Sequence, residues 1–196
     1  MRKWKKILII TAALCILTGC GGAASASVNT VSIQNDGKIE HTIVEQFDRN
    51  YYDADELSEM AKERVDRYNA GTGSITCESV ESGSGKIVVK MIYQSEADYT
   101  KFNNRELFYG TVGQASQSGY TLSGIVSVDG EAIDDAGLET FADNHIVIVQ
   151  TKNGEELNVR VYDKILCGSE NLTFSGKKDA LITAADAETL SYIIFQ

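Results

Sequence analysis

The 196 residues carry 28 acidic against 18 basic side chains, a formal net charge of −10. A body this acidic repels nucleic-acid phosphates and anionic lipid headgroups, which argues against both as direct partners of the folded part. Proline is absent and the only tryptophan is Trp4, so turns rest on Gly, Asn and Asp, and the rest of the chain lacks the indole platform common in sugar-binding sites.

Arg2, Lys3, Lys5 and Lys6 form a basic head, and Ile7 to Leu17 an apolar core. That core is too short to span a bilayer, which takes roughly 20 apolar residues. Leu17-Thr18-Gly19-Cys20 follows: an aliphatic residue, two small ones and a cysteine. The segment resembles the lipobox of bacterial lipoproteins. The resemblance implies that residues 1–19 are a signal peptide, that the Cys20 sulfur carries a diacylglycerol, and that the peptidase cuts just before it. An ordinary secretory signal needs no such cysteine. Two acyl chains hold a protein on a membrane for long periods, where one holds it marginally. Residues 20–27 then read as a flexible tether of small residues, and the expected address is the outer, extracytoplasmic face of the cell membrane. Losing the four basic residues of the leader takes the formal net charge from −10 to −14. About 170 residues remain, enough for one domain with a sizeable core or two small ones.

Residues 28–196 read as an extracytoplasmic α+β domain with mostly antiparallel sheet, a subdivision near 95–123 being left open. A hairpin opens it. A three-residue loop of Asn35, Asp36 and Gly37, with the glycine in a left-handed bulge, places Val31, Ile33, Ile39, His41 and Ile43 on one face. A helix follows, with Asp53 as its cap, Glu56 three residues on, Tyr52 and Leu57 as a hydrophobic staple, and Asn69-Ala70-Gly71 at its end. Leu57, Met60, Ala61, Val65 and Tyr68 make its apolar stripe, expected to lie packed on the sheet. Strands near 74–80 and 86–93, joined by a Ser/Gly turn, complete a β-β-α-β-β unit.

The middle reads as weakly helical. Ser95 with Asp98 caps one short helix through Phe102, and Thr111 with Gln114 another, ending at Gly119. Past a strand near 124–128 and an acidic loop, Asn153-Gly154 is the favoured turn of a two-residue hairpin. It would pair Gln150 with Leu157, Ile148 with Val159 and Ile146 with Val161. Strands near 164–167, 171–174, 180–183 and 190–195 make the C-terminal half β-rich.

Few residues carry chemistry. Beyond Cys15 and Cys20 only Cys77 and Cys167 remain. Outside the cytoplasm they could form one disulfide, or stay as buried thiols beside Ile75 and Ile165. His41 falls mid-strand on an apolar face and reads as structural; His145 marks a strand start. No nucleophile elbow accompanies them, so no catalytic residue is assigned. Asp53, Asp55 and Glu56 fit helix N-terminal charge, worth up to roughly 1 kcal/mol at an exposed site. Asp134-Asp135 lacks the ordered spacing of a calcium loop. No metal site and no cofactor are expected, and Gly83-Ser84-Gly85 lacks the lysine of a phosphate loop.

Phe47-Asp48, Tyr51-Tyr52, Glu56-Leu57, Tyr68-Asn69 and the closing Ser191-Tyr192-Ile193-Ile194 are similar to a group of uncharacterised cell-surface lipoproteins of gut clostridia. That resemblance implies no activity and, apart from Cys20, no functional residue. Three readings follow. The first is a membrane-tethered binding module for an envelope protein or small ligand. The second is a small hydrolase of envelope polymers, and the third a transporter substrate-binding lipoprotein. The last usually has two lobes of alternating strands and helices, which this body is too short and too antiparallel to supply.

Overall fold

The computed structural model describes residues 27–49, 53–71, 73–152, 154–183 and 189–196. The leader, Cys20, Tyr52 of the expected staple and Asn153 of the expected hairpin turn lie outside them. Among the described residues two sheets and four helices make an α+β fold.

The N-terminal unit follows the pattern of its apolar residues. Strands β1 (Asn29–Ile33) and β2 (Ile39–Gln46) pair Ile33 with Ile39 and Val31 with His41. Gly37 holds φ at +81° in the three-residue loop, a conformation that costs a side-chain-bearing residue energy. Helix α1 (Ala54–Asn69) starts where the Asp53 carboxylate accepts hydrogen bonds from the backbone N–H groups of Asp55 and Glu56. That satisfies two of the free donors at the helix start. Strands β3 (Ile75–Gly83) and β4 (Lys86–Tyr93) turn through Ser84 and Gly85, both at positive φ.

Sheet order in the larger layer is β10-β11-β8-β1-β2-β4-β3, where β8 is Leu157–Arg160, β10 Leu172–Ser175 and β11 Asp179–Ile182. The smaller layer is β5-β7-β12-β9-β6, from Leu107–Thr111, His145–Thr151, Thr189–Phe195, Ile165–Ser169 and Ile125–Ser127 respectively. Between the layers lies one apolar cluster drawn from both, including Val31, Ile39, Tyr93, Val147, Val159 and Phe195. A second cluster, with Ile146, Ile148, Cys167 and Ile194, lies on the far face of the smaller sheet. Helix α3 (Val112–Gln117) and the segment around helix α4 (Asp135–Glu139) cover it.

The expected 150/157 hairpin does not exist. Strand β7 pairs with β12 and β5, so that Ile148 faces Tyr192 and Phe108. Strand β8 instead runs parallel to β1, with Val31 opposite Val159, and antiparallel to β11. The reason lies in β7 itself. Ile146 to Val149 are all fully buried, so this strand is apolar on both faces and belongs at the centre of a covered sheet. Strand β8 alternates buried Leu157 and Val159 with outward Asn158 and Arg160, the pattern of a half-solvated sheet.

Residues 95–123 hold helix α2 (Glu96–Asn103), β5 and α3. Both helices start on the expected caps, Ser95 and Thr111. Strand β5, which the weakly helical reading passed over, edges the smaller sheet.

Helix α1 departs from the expected packing. Its C-terminal half is held tightly: Val65 is buried, and the Asn69 side chain both donates to Ile75 O (2.8 Å) and accepts from Ile75 N (2.9 Å). Its N-terminal half stands off the sheet. Leu57 and Ala61 are only half-buried, and Met60 is 59% exposed. Leu57→Ala should therefore cost less than the 2–5 kcal/mol of an emptied packed leucine site, about 1 kcal/mol. Val65→Ala should cost more, about 2 kcal/mol, when both are measured by denaturant unfolding. A larger loss at Leu57 would mean that the helix closes fully on the sheet.

Candidate functional site

Where helix α1 lifts away, a cleft opens between it and strands β2 and β4. Ile43, Leu57, Met60 and Val89 line its whole length. The wide end encloses about 460 Å³ and adds Phe47 and Ile87, with Glu45, Asp53 and Glu56 at the rim. The narrow end, about 270 Å³, adds Met91, Phe102 and Asn103, with Arg64 beside them. Arg64 is committed there: its guanidinium donates to Phe102 O (2.8 Å) and lies 4.2 Å from the centre of the Phe102 ring. A concave apolar wall with charge only at its ends is what a small-molecule site requires.

Deeper in the same core stands His41, 5% exposed, its ring 5.5 Å from that of Tyr99. Neither ring nitrogen of His41 has a hydrogen-bond partner, nor does the Tyr99 hydroxyl. Burial, helped by the nearby positive charge of Arg105, pushes the His41 pKa down to about 4, against a smaller opposing effect of Glu155. Arg105 and Glu155 are themselves joined, one guanidinium nitrogen lying 2.7 Å from each carboxylate oxygen. His41 is thus a neutral, unpartnered group in the core, with no acid or nucleophile in hydrogen-bonding contact.

His145 begins β7, stacked on Tyr109 at 5.8 Å and on Phe195 at 5.5 Å between ring centres. The two histidines lie in different surroundings, and among the described residues no arrangement of base, acid and nucleophile assembles around either. Asp134 caps α4 through Gly137 N, and Asp53 caps α1, so both acidic groups act as helix starts. Among the described residues no group of three or more His, Cys, Asp and Glu side chains is placed to hold a metal ion. No described helix is long and apolar enough to cross a membrane.

Cys77 and Cys167 are free thiols on different sheets. Cys77 packs against the cluster between the layers, and Cys167 is fully buried in the cluster on the far face. Burial pushes the Cys167 thiol up to about 12, which keeps it protonated and unreactive.

Comparison of the chain with family models, curated proteins and solved structures finds no match. Sequence reasoning assigned Leu57, Met60 and Ala61 to the core, and so missed the cleft. One signal was available: glutamates and aspartates flank a stripe that includes an unbranched, adaptable methionine, Met60.

The unpartnered histidine makes stability depend on pH. The unfolded chain takes up a proton at His41 near the ordinary value of 6.5, whereas the folded protein resists it until about 4. The folded state therefore binds fewer protons in that window, and stability falls as pH is lowered through it. Between pH 7 and pH 5 the loss should be about 2 kcal/mol, read from chemical denaturation. His41→Leu should remove that dependence without loss at pH 7, since it deletes two unsatisfied polar atoms from the core. An unchanged pH slope in the variant would place the dependence elsewhere.

Proposed function

We propose that this chain is a lipid-anchored binding module of the cell envelope and takes its ligand in the cleft between α1 and strands β2 and β4. One observation carries the reading. The helix keeps its apolar stripe, yet half of that stripe faces an open cleft, with Met60 59% exposed. Leaving apolar surface wet costs roughly 25 cal/mol per Å², so such a wall has a use when something covers it. The anchor rests on the basic head, the short apolar core and Leu17-Thr18-Gly19-Cys20.

A hydrolase is less well supported, because His41 is neutral and without a partner and His145 has aromatic neighbours. Two measurements test the proposal. Cys20→Ala should abolish metabolic labelling with a fatty acid and leave the protein uncleaved or misplaced; unchanged cleavage and membrane fractionation would refute the anchor. For the cleft, a neutral ten-carbon alkyl maltoside, kept below its aggregation concentration, should shift the side-chain methyl signals of Met60 and Met91. These are the only methionines beyond Met1. Signals that stay in place under saturating probe would refute the cleft as the binding site.

A further inference from the structure

We infer that the occupant of this cleft is an amine-headed, single-chain amphiphile drawn from the membrane that holds the protein. The inference rests on the anchored-module reading and adds the chemical class and source of the ligand. Two independent features support it.

The first is where the tether enters. The Asn29 side chain accepts a hydrogen bond from Val44 N at 2.7 Å, which places Asn29 beside Ile43 and Glu45, while Ser27 and Val28 before it lie along the other face of the sheet with Thr30 and Thr42. Ile43 and Glu45 line the wide end of the cleft. Seven residue steps separate Cys20 from Ser27. Fully extended they reach at most about 25 Å. Two further steps reach Asn29, so the strand ends that bear the cleft's wide end are held within about 32 Å of the lipid on Cys20, a short path for an amphiphile leaving the bilayer.

The second is the charge pattern. The wide end is rimmed by Glu45, Asp53 and Glu56, with no basic side chain in its lining. The single cation of the narrow end, Arg64, is turned to Phe102. An acyl chain lying along Ile43, Leu57, Met60 and Val89 would leave its head among these three carboxylates. A cationic head is attracted there and an anionic one repelled, each exposed carboxylate contributing a modest, salt-screened amount.

Decyltrimethylammonium, decyl maltoside and decyl sulfate differ only in the head, and each can be titrated below its aggregation concentration into the mature chain carrying 13C-methyl methionine. The ammonium probe should bind about tenfold more tightly than the maltoside at low ionic strength, and the sulfate more weakly than either. The double variant Glu45→Lys/Glu56→Lys, which spares the capping Asp53, should reverse that order while keeping the dispersion of its amide spectrum, with only the modest loss of melting temperature that a cation in the first turn of α1 brings. Equal affinity for all three heads would overturn the amine assignment and leave the cleft reading standing. Tightest binding of the sulfate by the unsubstituted chain would overturn it in the same way. Failure of every probe to move Met60 and Met91 would remove both. Methyl shifts that follow protein concentration alone would make a second copy of the chain the occupant and overturn the proposal.

Discussion

The parallel pairing of β1 with β8 is the contact on which the rest of the architecture depends. It joins strands separated by more than a hundred residues, with Val31 beside Val159 and Thr30 beside Asn158. Every other strand pair among the described residues is antiparallel. Without it the N-terminal β-β-α-β-β unit would end at β1 with an unpaired edge, and β10, β11 and β8 would form a separate small sheet. With it, one seven-stranded layer has enough apolar face to lie over the smaller sheet, and the shared cluster between them closes.

That arrangement also explains why a cleft exists. The apolar face of the larger sheet is covered unequally. The smaller sheet and helix α2 share the central cluster with Val31, Tyr93 and Val159, leaving the β4–β3 end to α1, which rests on β3. Helix α1 is fastened at its C-terminal half by Val65 and by the Asn69 clasp on Ile75, and at Tyr68, whose hydroxyl donates to the Asp98 carboxylate at 3.1 Å. Among the described residues its N-terminal half has no comparable fastening to the sheet. The strip from Ile43 to Val89 is left uncovered.

Much of the fold was legible because local rules and burial agreed. The bulged register of the first hairpin followed from collecting Ile33, Ile39 and His41 on one face, and the caps at Asp53, Ser95 and Thr111 from side chains that satisfy free helix donors. Long-range pairing was not legible. Asn153-Gly154 is a strong local signal for a hairpin, but Val147 and Val149 needed cover on the face that such a hairpin would have left wet. Two-sided burial overrode turn preference there. Strand β5 was hidden for a related reason: Leu107 to Thr111 is a short edge whose pairing partner lies some forty residues away. The cleft was the least legible feature, because an apolar helical stripe looks the same whether it is packed or waiting for a ligand.

Backbone nuclear Overhauser effects across strand β8 test this account most directly. Contacts from Val159 to Val31 and to Ala180 are predicted, with Ile148 showing its own contacts to Tyr192 and Phe108. Strong contacts between Ile148 and Val159, with none from Val159 to Val31, would contradict it. They would restore the local hairpin and dissolve the seven-stranded layer on which the core and the cleft both rest.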